Sequence, residues 1–264
     1  ISPPRRVNAP SRENLRKPQD FLTRISACTS ARRSAGGDVG AGCSTVMSGQ
    51  PPTLDPSLCR SRQETLRRYL AAHELDGALF FHPHYVHSLS GYWHGQPLTP
   101  TALLVKRDGG AVLVTHHDAP HAPAADEVLA YAPNPLCTFK PNLSGCVAEV
   151  LAPVLAGLKT IGTDERTPAA MISGPVCRDL TEDYQYLRRH KDADEVAALE
   201  FTIACADLAY AKAKEILEPG ITEVEIMAAM LEVATVSAGE FLSGWGQDFQ
   251  SGAPGGLARP NRPV

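Results

Sequence analysis

No apolar run in this chain approaches the roughly 18 residues that a membrane-spanning helix needs. The longest, Val150 to Leu158, is nine residues and is interrupted by Pro153, which excludes a helical transmembrane protein. Cysteine is scattered: seven residues with the closest pair nine apart and no C-x-x-C pair. That spacing argues against a structural zinc site built on thiolates and fits reduced thiols in a cytoplasmic protein. An overall basic field is also lacking, since the net charge is −4, so nucleic acid is not the default partner. Histidine is missing after His190, and methionine before Met47. What remains is ordinary for a globular chain of 264 residues, with 43% hydrophobic and 20% charged residues, enough for one large domain or two modest ones.

Charge divides the chain unevenly. Residues 1–46 hold seven Arg and one Lys against Glu13, Asp20 and Asp38, a net of +5, so the rest carries −9. This Ser-, Arg-, Gly- and Pro-rich stretch has no sustained periodicity, which predicts a disordered leader over 1–56. Phe21 to Ala35, Arg-rich and free of acids, fits a transit peptide. In-frame upstream sequence ahead of a true start at Met47 fits better, because order sets in abruptly after Pro56. The far end, Ser243 to Val264, is rich in Gly, Pro and Arg without a helix or strand pattern. The expectation is an open-ended fragment of a longer gene.

Between these ends, patterns alternate. Ser57 to His73 spaces Leu58, Leu66, Tyr69 and Leu70 as an amphipathic helix, with arginines on other faces. Asp76-Gly77 leads into a short buried strand, Ala78 to Phe81. Thr101 to Lys106 and Ala111 to Thr115, joined by Arg107-Asp108-Gly109-Gly110, read as a β-hairpin. Glu127 to Tyr131 reads as a strand, Leu143 to Leu158 as a helix kinked near Pro153, Lys159 to Thr163 as a strand, and Thr167 to Leu180 as a further helix. Residues 57–185 are thus one α/β domain. A second unit, 186–264, opens with Asp192 as N-cap and Glu195 completing a capping box. Val196, Leu199, Ile203, Ala206, Tyr210, Ala213 and Leu217 form one stripe on a long helix that Pro219-Gly220 stops. Thr222 caps a second helix with Glu225 at N3, whose buried face is Ile226, Ala229, Met230 and Val233. Two such helices need a sheet to lie on, and little of one follows.

The order of these segments resembles a known family. The helix, then Asp76 to Phe81 (DGALFF), then His84 to Tyr92 (HYVHSLSGY), is similar to the amino-terminal domain of the creatinase/prolidase superfamily. There the strand leads to a segment near N-x-x-Y-L-T-G-F, matched by Val86 to Tyr92. Leu187 to Glu195 resembles the family's R-x-x-K-s-x-x-E-I entry into its catalytic domain. Glu218 to Glu225 resembles its x-P-G-x-T-E-x-E link between the first two helices, and Ser251-Gly252 falls where the family has Ser-Gly. The resemblance implies a ribonuclease-H-like α/β/α amino-terminal domain followed by the truncated start, two helices, of an α+β pita-bread domain. It implies a parent enzyme of the Xaa-Pro aminopeptidase, dipeptidase or creatinase type, in which two divalent metals (Mn, Co or Zn) activate a bridging water. It also implies a homodimer acting on a peptide or small-molecule substrate, with the amino-terminal domain of one copy overhanging the other's site. Tyr85, His87, Tyr92, Trp93 and His94 are then candidates for substrate contact. The family's metal ligands, two Asp, one His and two Glu, would fall beyond Val264, and its substrate-binding histidine is absent near Leu257 to Arg259. No catalytic residue carries over, and the chain by itself is expected to be inactive. A non-catalytic creatinase-like binding module is the alternative reading.

Seven of the nine histidines lie between His82 and His121. A histidine metal site in residues 82–121 is one reading, and loop histidines at strand ends the blander one. Pro83, between His82 and His84, argues for a loop there. Asp164-Glu165 reads as the start of a helix, where the macrodipole favours acids.

Overall fold

The computed structural model describes residues 51–93, 99–116, 122–134 and 140–242, all within one unit that spans 46–264. The expected leader over most of 1–56, Met47 and the Ser251-Gly252 pair lie outside the described residues.

Helix α1 (Pro56–Ala72) starts where Asp55 accepts the Ser57 N–H, with Pro56 at a position that needs no donor. Strand β1 (Gly77–Phe80) follows, then α2 (Pro83–Ser90), β2 (Ala102–Lys106), β3 (Ala111–Thr115), β4 (Glu127–Ala130), α3 (Leu143–Leu155), β5 (Thr160–Thr163), β6 (Val176–Asp179), α4 (Thr181–Leu187), α5 (Ala193–Ile216) and α6 (Glu223–Ala238). The strands form one mixed sheet in the order β4-β3-β2-β1-β5-β6. The hairpin β2–β3 is antiparallel and β1 pairs antiparallel with β2, whereas β1–β5, β5–β6 and β3–β4 are parallel.

Alternate side chains of the central strands β1, β2 and β3 build a core on both faces. Ala78, Phe80, Leu103, Val105, Ala111 and Leu113 point to the side covered by α1, α2 and α4, where Leu66, Leu70, Val86, Leu89 and Tyr184 meet them. Leu79, Phe81, Leu104, Val112, Val114 and Ile161 point to the other side, covered by Val147, Leu151 and Leu155 of α3. The result is an α/β/α sandwich with β1 near its centre, the α/β domain that the sequence patterns anticipate in the layered form that the resemblance implies.

Two expectations need correction. Thr167 to Leu180 is not a helix: a single 3-10 turn (Ala169–Met171) is followed by strand β6. Gly174, at φ +109°, and Pro175 break the apolar helical spacing, and pairing of Val176 to Asp179 along β5 replaces it. The segment after β1 is helix α2 rather than a loop, because Pro83 occupies the first helical position, where its missing N–H is harmless. Gly91, at φ +70°, ends that helix in the left-handed conformation. The stripe from Val196 to Leu217 stands largely uncovered, in keeping with two helices that lack a sheet to lie on, though Ala213 packs beside Ala209. Leu199, Ile203, Tyr210 and Leu217 are at least half exposed, while Cys205 and Ala209 are buried and Ala209 packs against Met230 and Ala234 of α6. Small residues there let the two helices approach closely.

Beside β6, backbone contact is equally tight. A Cβ placed on Gly162 would stand 1.9 Å from Cδ1 of Leu180, a side chain that is itself buried. The Gly162→Ala variant is expected to lose about 1–3 kcal/mol of stability through overpacking, read by urea denaturation. In a Leu180→Ala background, where that space is empty, the same change should cost much less; an equal loss there would refute the steric account.

Candidate functional site

The β1–α2 crossing is where chemistry-bearing residues gather. Asp164, buried at the end of β5, accepts the backbone N–H groups of Phe81 and His82 at 2.8 and 2.7 Å. Its second oxygen accepts the Thr167 hydroxyl at 2.8 Å and the Arg166 N–H at 3.1 Å. Asp164 and Glu165 therefore do not start a helix, in contrast to the sequence expectation; Asp164 ties two loops together, and such charge-assisted bonds are the strong ones.

His82 caps α2, its Nδ1 accepting the His84 N–H at 3.3 Å. That leaves the proton on Nε2, 3.6 Å from the Glu165 carboxylate. From this start α2 presents Tyr85, Val86 and Leu89 to the core and His84 and His87 outward. The His82 ring stacks on Tyr85 at 4.4 Å. Trp93 lies against both outward imidazoles, stacked on His84 at 5.5 Å and edge-on to His87 at 5.4 Å. The outcome is a half-exposed surface of two imidazoles and an indole.

The residues proposed from sequence for substrate contact divide on burial. His87 and Trp93 lie on this surface. Tyr85 and Tyr92 are core residues, 3% and 4% exposed. The Tyr85 hydroxyl accepts from Gln185 at 3.2 Å, and the Tyr92 hydroxyl is 2.7 Å from Thr115 Oγ1. His94 lies outside the described residues. His84 was read in sequence only as a loop or metal histidine; its place beside Trp93 depends on α2 being helical.

Electrostatics keep these imidazoles neutral. Burial lowers the His87 pKa to about 4, assisted by His84, Arg62 and Arg188 and opposed by Asp194. His82 and His84 are lowered as well, again by burial first.

Among the described residues no three His, Cys, Asp or Glu side chains are placed to hold a metal ion; His94, His117 and His121 fall outside them. The later acids do not fit a dinuclear centre either. Glu225 is engaged at the start of α6, where it and Thr222 form a capping box, and Glu223 shares that first turn. An open groove of about 580 Å³ is lined by Tyr69, Glu182, Asp183, Tyr186 and Leu187, none of them a sequence candidate. Among the described residues no helix is long and apolar enough to cross a membrane.

Residues 62–175 match the model of the Creatinase/Prolidase N-terminal domain. Similar solved structures include the prolidase from Pyrococcus horikoshii OT3, with 19% identity over 66% of this chain and 48% of that one and a TM-score of 0.51. The Xaa-Pro dipeptidase from Bacillus anthracis gives 17% identity, 67% and 48% coverage and a TM-score of 0.51. The dipeptidase PepE from Mycobacterium ulcerans gives 22%, 72% and 51%, and 0.50. At these identities the likeness concerns the fold, and the chain spans about half the length of each. No curated protein sequence matches the chain.

A pH dependence follows from His87. Unfolded, its imidazole titrates near its ordinary 6.5; folded, near 4. As pH falls below about 6.5 the unfolded state takes up the proton first, so this contribution to stability declines until the folded imidazole also titrates. Between pH 7 and 4.5 His87→Gln is expected to lose about 2 to 3 kcal/mol less stability than the parent chain, read from urea midpoints. Identical pH profiles for the two would refute it.

Proposed function

We propose, from the match of residues 62–175 to the Creatinase/Prolidase N-terminal domain and the shared fold, that the chain is the front portion of a metal-dependent hydrolase of the Xaa-Pro peptidase or creatinase type. In this reading residues 57–185 are the amino-terminal domain, and α5 and α6 open a catalytic domain completed by residues past Val264. Two divalent metal ions bound there would supply the nucleophilic water and polarise the scissile carbonyl. No residue described here would ligate them.

One observation carries the reading. Helices α5 and α6 bury their small residues against each other, yet Leu199, Ile203, Tyr210 and Leu217 stand in solvent along one helix. An apolar row of that length calls for a covering layer. The resemblance of Leu187 to Glu195 and Glu218 to Glu225 to the family's entry segments agrees with it.

The role proposed for this chain's own residues is contact and orientation. His84, His87 and Trp93 offer an apolar, aromatic surface with neutral imidazoles at neutral pH, suited to the uncharged side of a peptide or similar small substrate. In a dimer with the amino-terminal domain leaning over its partner, that surface would wall the partner's site. Localisation in the cytoplasm and dimerisation belong to the same proposal.

The test is to express the chain together with the coding sequence that continues past Val264. The extended protein is expected to hydrolyse Xaa-Pro dipeptides with added Mn²⁺, Co²⁺ or Zn²⁺, whereas residues 1–264 alone are expected to show no turnover. An extension that neither binds two metals nor turns over peptides would favour the non-catalytic binding module. In an active extended protein, Trp93→Ala is expected to raise KM severalfold with kcat little changed, the signature of lost uniform binding. Unchanged KM would remove this surface from the substrate path.

A further inference from the structure

The joint between the α/β domain and the α5–α6 hairpin is ionic. Arg62 of α1 reaches into the first turn of α5 and forms a bidentate pair with Asp194, both bonds 3.0 Å, while Nη1 also donates to Asp192 at 2.9 Å. Its Nε donates to the Ser88 carbonyl of α2 at 2.6 Å, and Nη2 to the Cys59 sulfur at 3.1 Å. Glu195 completes the cluster, accepting from the Ser88 hydroxyl at 3.1 Å and standing 3.6 Å from Arg188 and 4.0 Å from Arg62. Asp194 also accepts the backbone N–H of Asp55 at 3.0 Å. Three carboxylates thus face two guanidiniums. The side chains of Arg62, Asp194 and Glu195 are 12%, 8% and 8% exposed. Burial is the largest influence on Asp194 and opposes its charge, but the hydrogen bonds and charge of Arg62, with the backbone N–H groups of Asp55 and Glu195, together outweigh it and hold the carboxylate pKa below its ordinary value.

Two members of this cluster belong to or adjoin α2, the helix that carries the candidate surface. Ser88 follows His87 on α2, and the Arg188 guanidinium lies 5.5 Å from the centre of the Tyr85 ring. Beyond its first turn, α5 packs on α6. We propose that Arg62 is the pin of a hinge between the α/β domain and the helical hairpin, and that α2 carries the closed or open state of that hinge to the His84–His87–Trp93 surface. This holds whatever that surface binds. Removing a partner from a buried ion pair leaves its carboxylates uncompensated, which is the costly way to break one. Without Arg62, three carboxylates share a single Arg188, and separation of α5 from α1 and α2 relieves the repulsion.

The experiment uses the full chain and two readouts. The joint itself carries Arg188, Arg189 and Lys191, so trypsin cutting there reports opening. Arg62→Gln is expected to accelerate that cutting about tenfold or more, below the full effect of a wholly buried pair because Asp192 is partly exposed. The charged and titratable groups facing His87 are His84, Arg62, Arg188 and Asp194. Its imidazole proton resonances in the variant should therefore titrate above the parent's value of about 4, as a cation departs and water enters. Arg60→Gln, which removes a pair with Asp126, is the control and should move neither reading. Parent-like cutting and an unmoved His87 titration in a variant that still melts cooperatively would overturn the proposal. Faster cutting with an unmoved His87 would overturn the coupling to α2. Should Arg62→Gln fail to melt cooperatively, Asp194→Asn, which keeps the Arg62 bonds to Ser88 and Asp192, is read instead: loss of the Asp194 charge by itself lowers the His87 titration, so faster cutting with a raised His87 titration supports the hinge, parent-like cutting overturns it, and faster cutting with a lowered one overturns the coupling to α2.

Discussion

A carboxylate at the end of β5 holds the rest of the site in place. By accepting the N–H groups of Phe81 and His82, Asp164 satisfies the backbone where β1 ends and sets where α2 begins. Every side chain of interest on α2 takes its direction from that start: Tyr85 into the core, His84 and His87 outward, Ser88 toward α5. The interaction is effective because Asp164 is buried at 4% exposure and its oxygens are occupied by donors from both loops.

Around that point the molecule combines two kinds of adhesion. The sheet is held by apolar side chains on both faces, which is strong and indifferent to direction. The hairpin α5–α6 is held to it by directed ionic contacts at one end. Gln63 illustrates a third, smaller device. Fully buried on α1, it donates to the carbonyls of Leu89 and Ala124 at 2.8 and 2.6 Å, so one amide joins the end of α2 to the loop before β4. Polar groups of this kind specify geometry that apolar packing alone would leave loose.

The functional reading rests on different grounds at each level. The match to the Creatinase/Prolidase N-terminal domain concerns residues 62–175, and the likeness to solved structures concerns the fold. Hydrolysis, metals and substrate are parts of the proposal alone, since the chain spans about half the length of each solved relative. The His84–His87–Trp93 surface lies between these levels: its geometry is local, while its use depends on what faces it.

Much of the fold was legible in the residues themselves. Short apolar, β-branched runs marked β1, β2 and β3, the Arg107–Gly110 turn marked the hairpin, and Asp192-Glu195 and Thr222-Glu225 marked both helix starts to within a residue. These signals are local, set by side-chain period and by capping within four residues. Tertiary structure decided the rest. Val176 to Asp179 became a strand because β5 offered an edge that no local pattern announces. Pro83 opened a helix because Asp164, 81 residues further on, held the backbone ahead of it. The apolar row of α5 faces solvent because the close approach to α6 selected small residues for the contact. Arg62, which periodicity assigns to a solvated helix face, became the hub of the joint only once folding brought Asp192, Asp194 and Glu195 beside it, some 130 residues away along the chain. Local periodicity records which side chains share a face; which partner that face meets is settled by contacts that are distant in sequence.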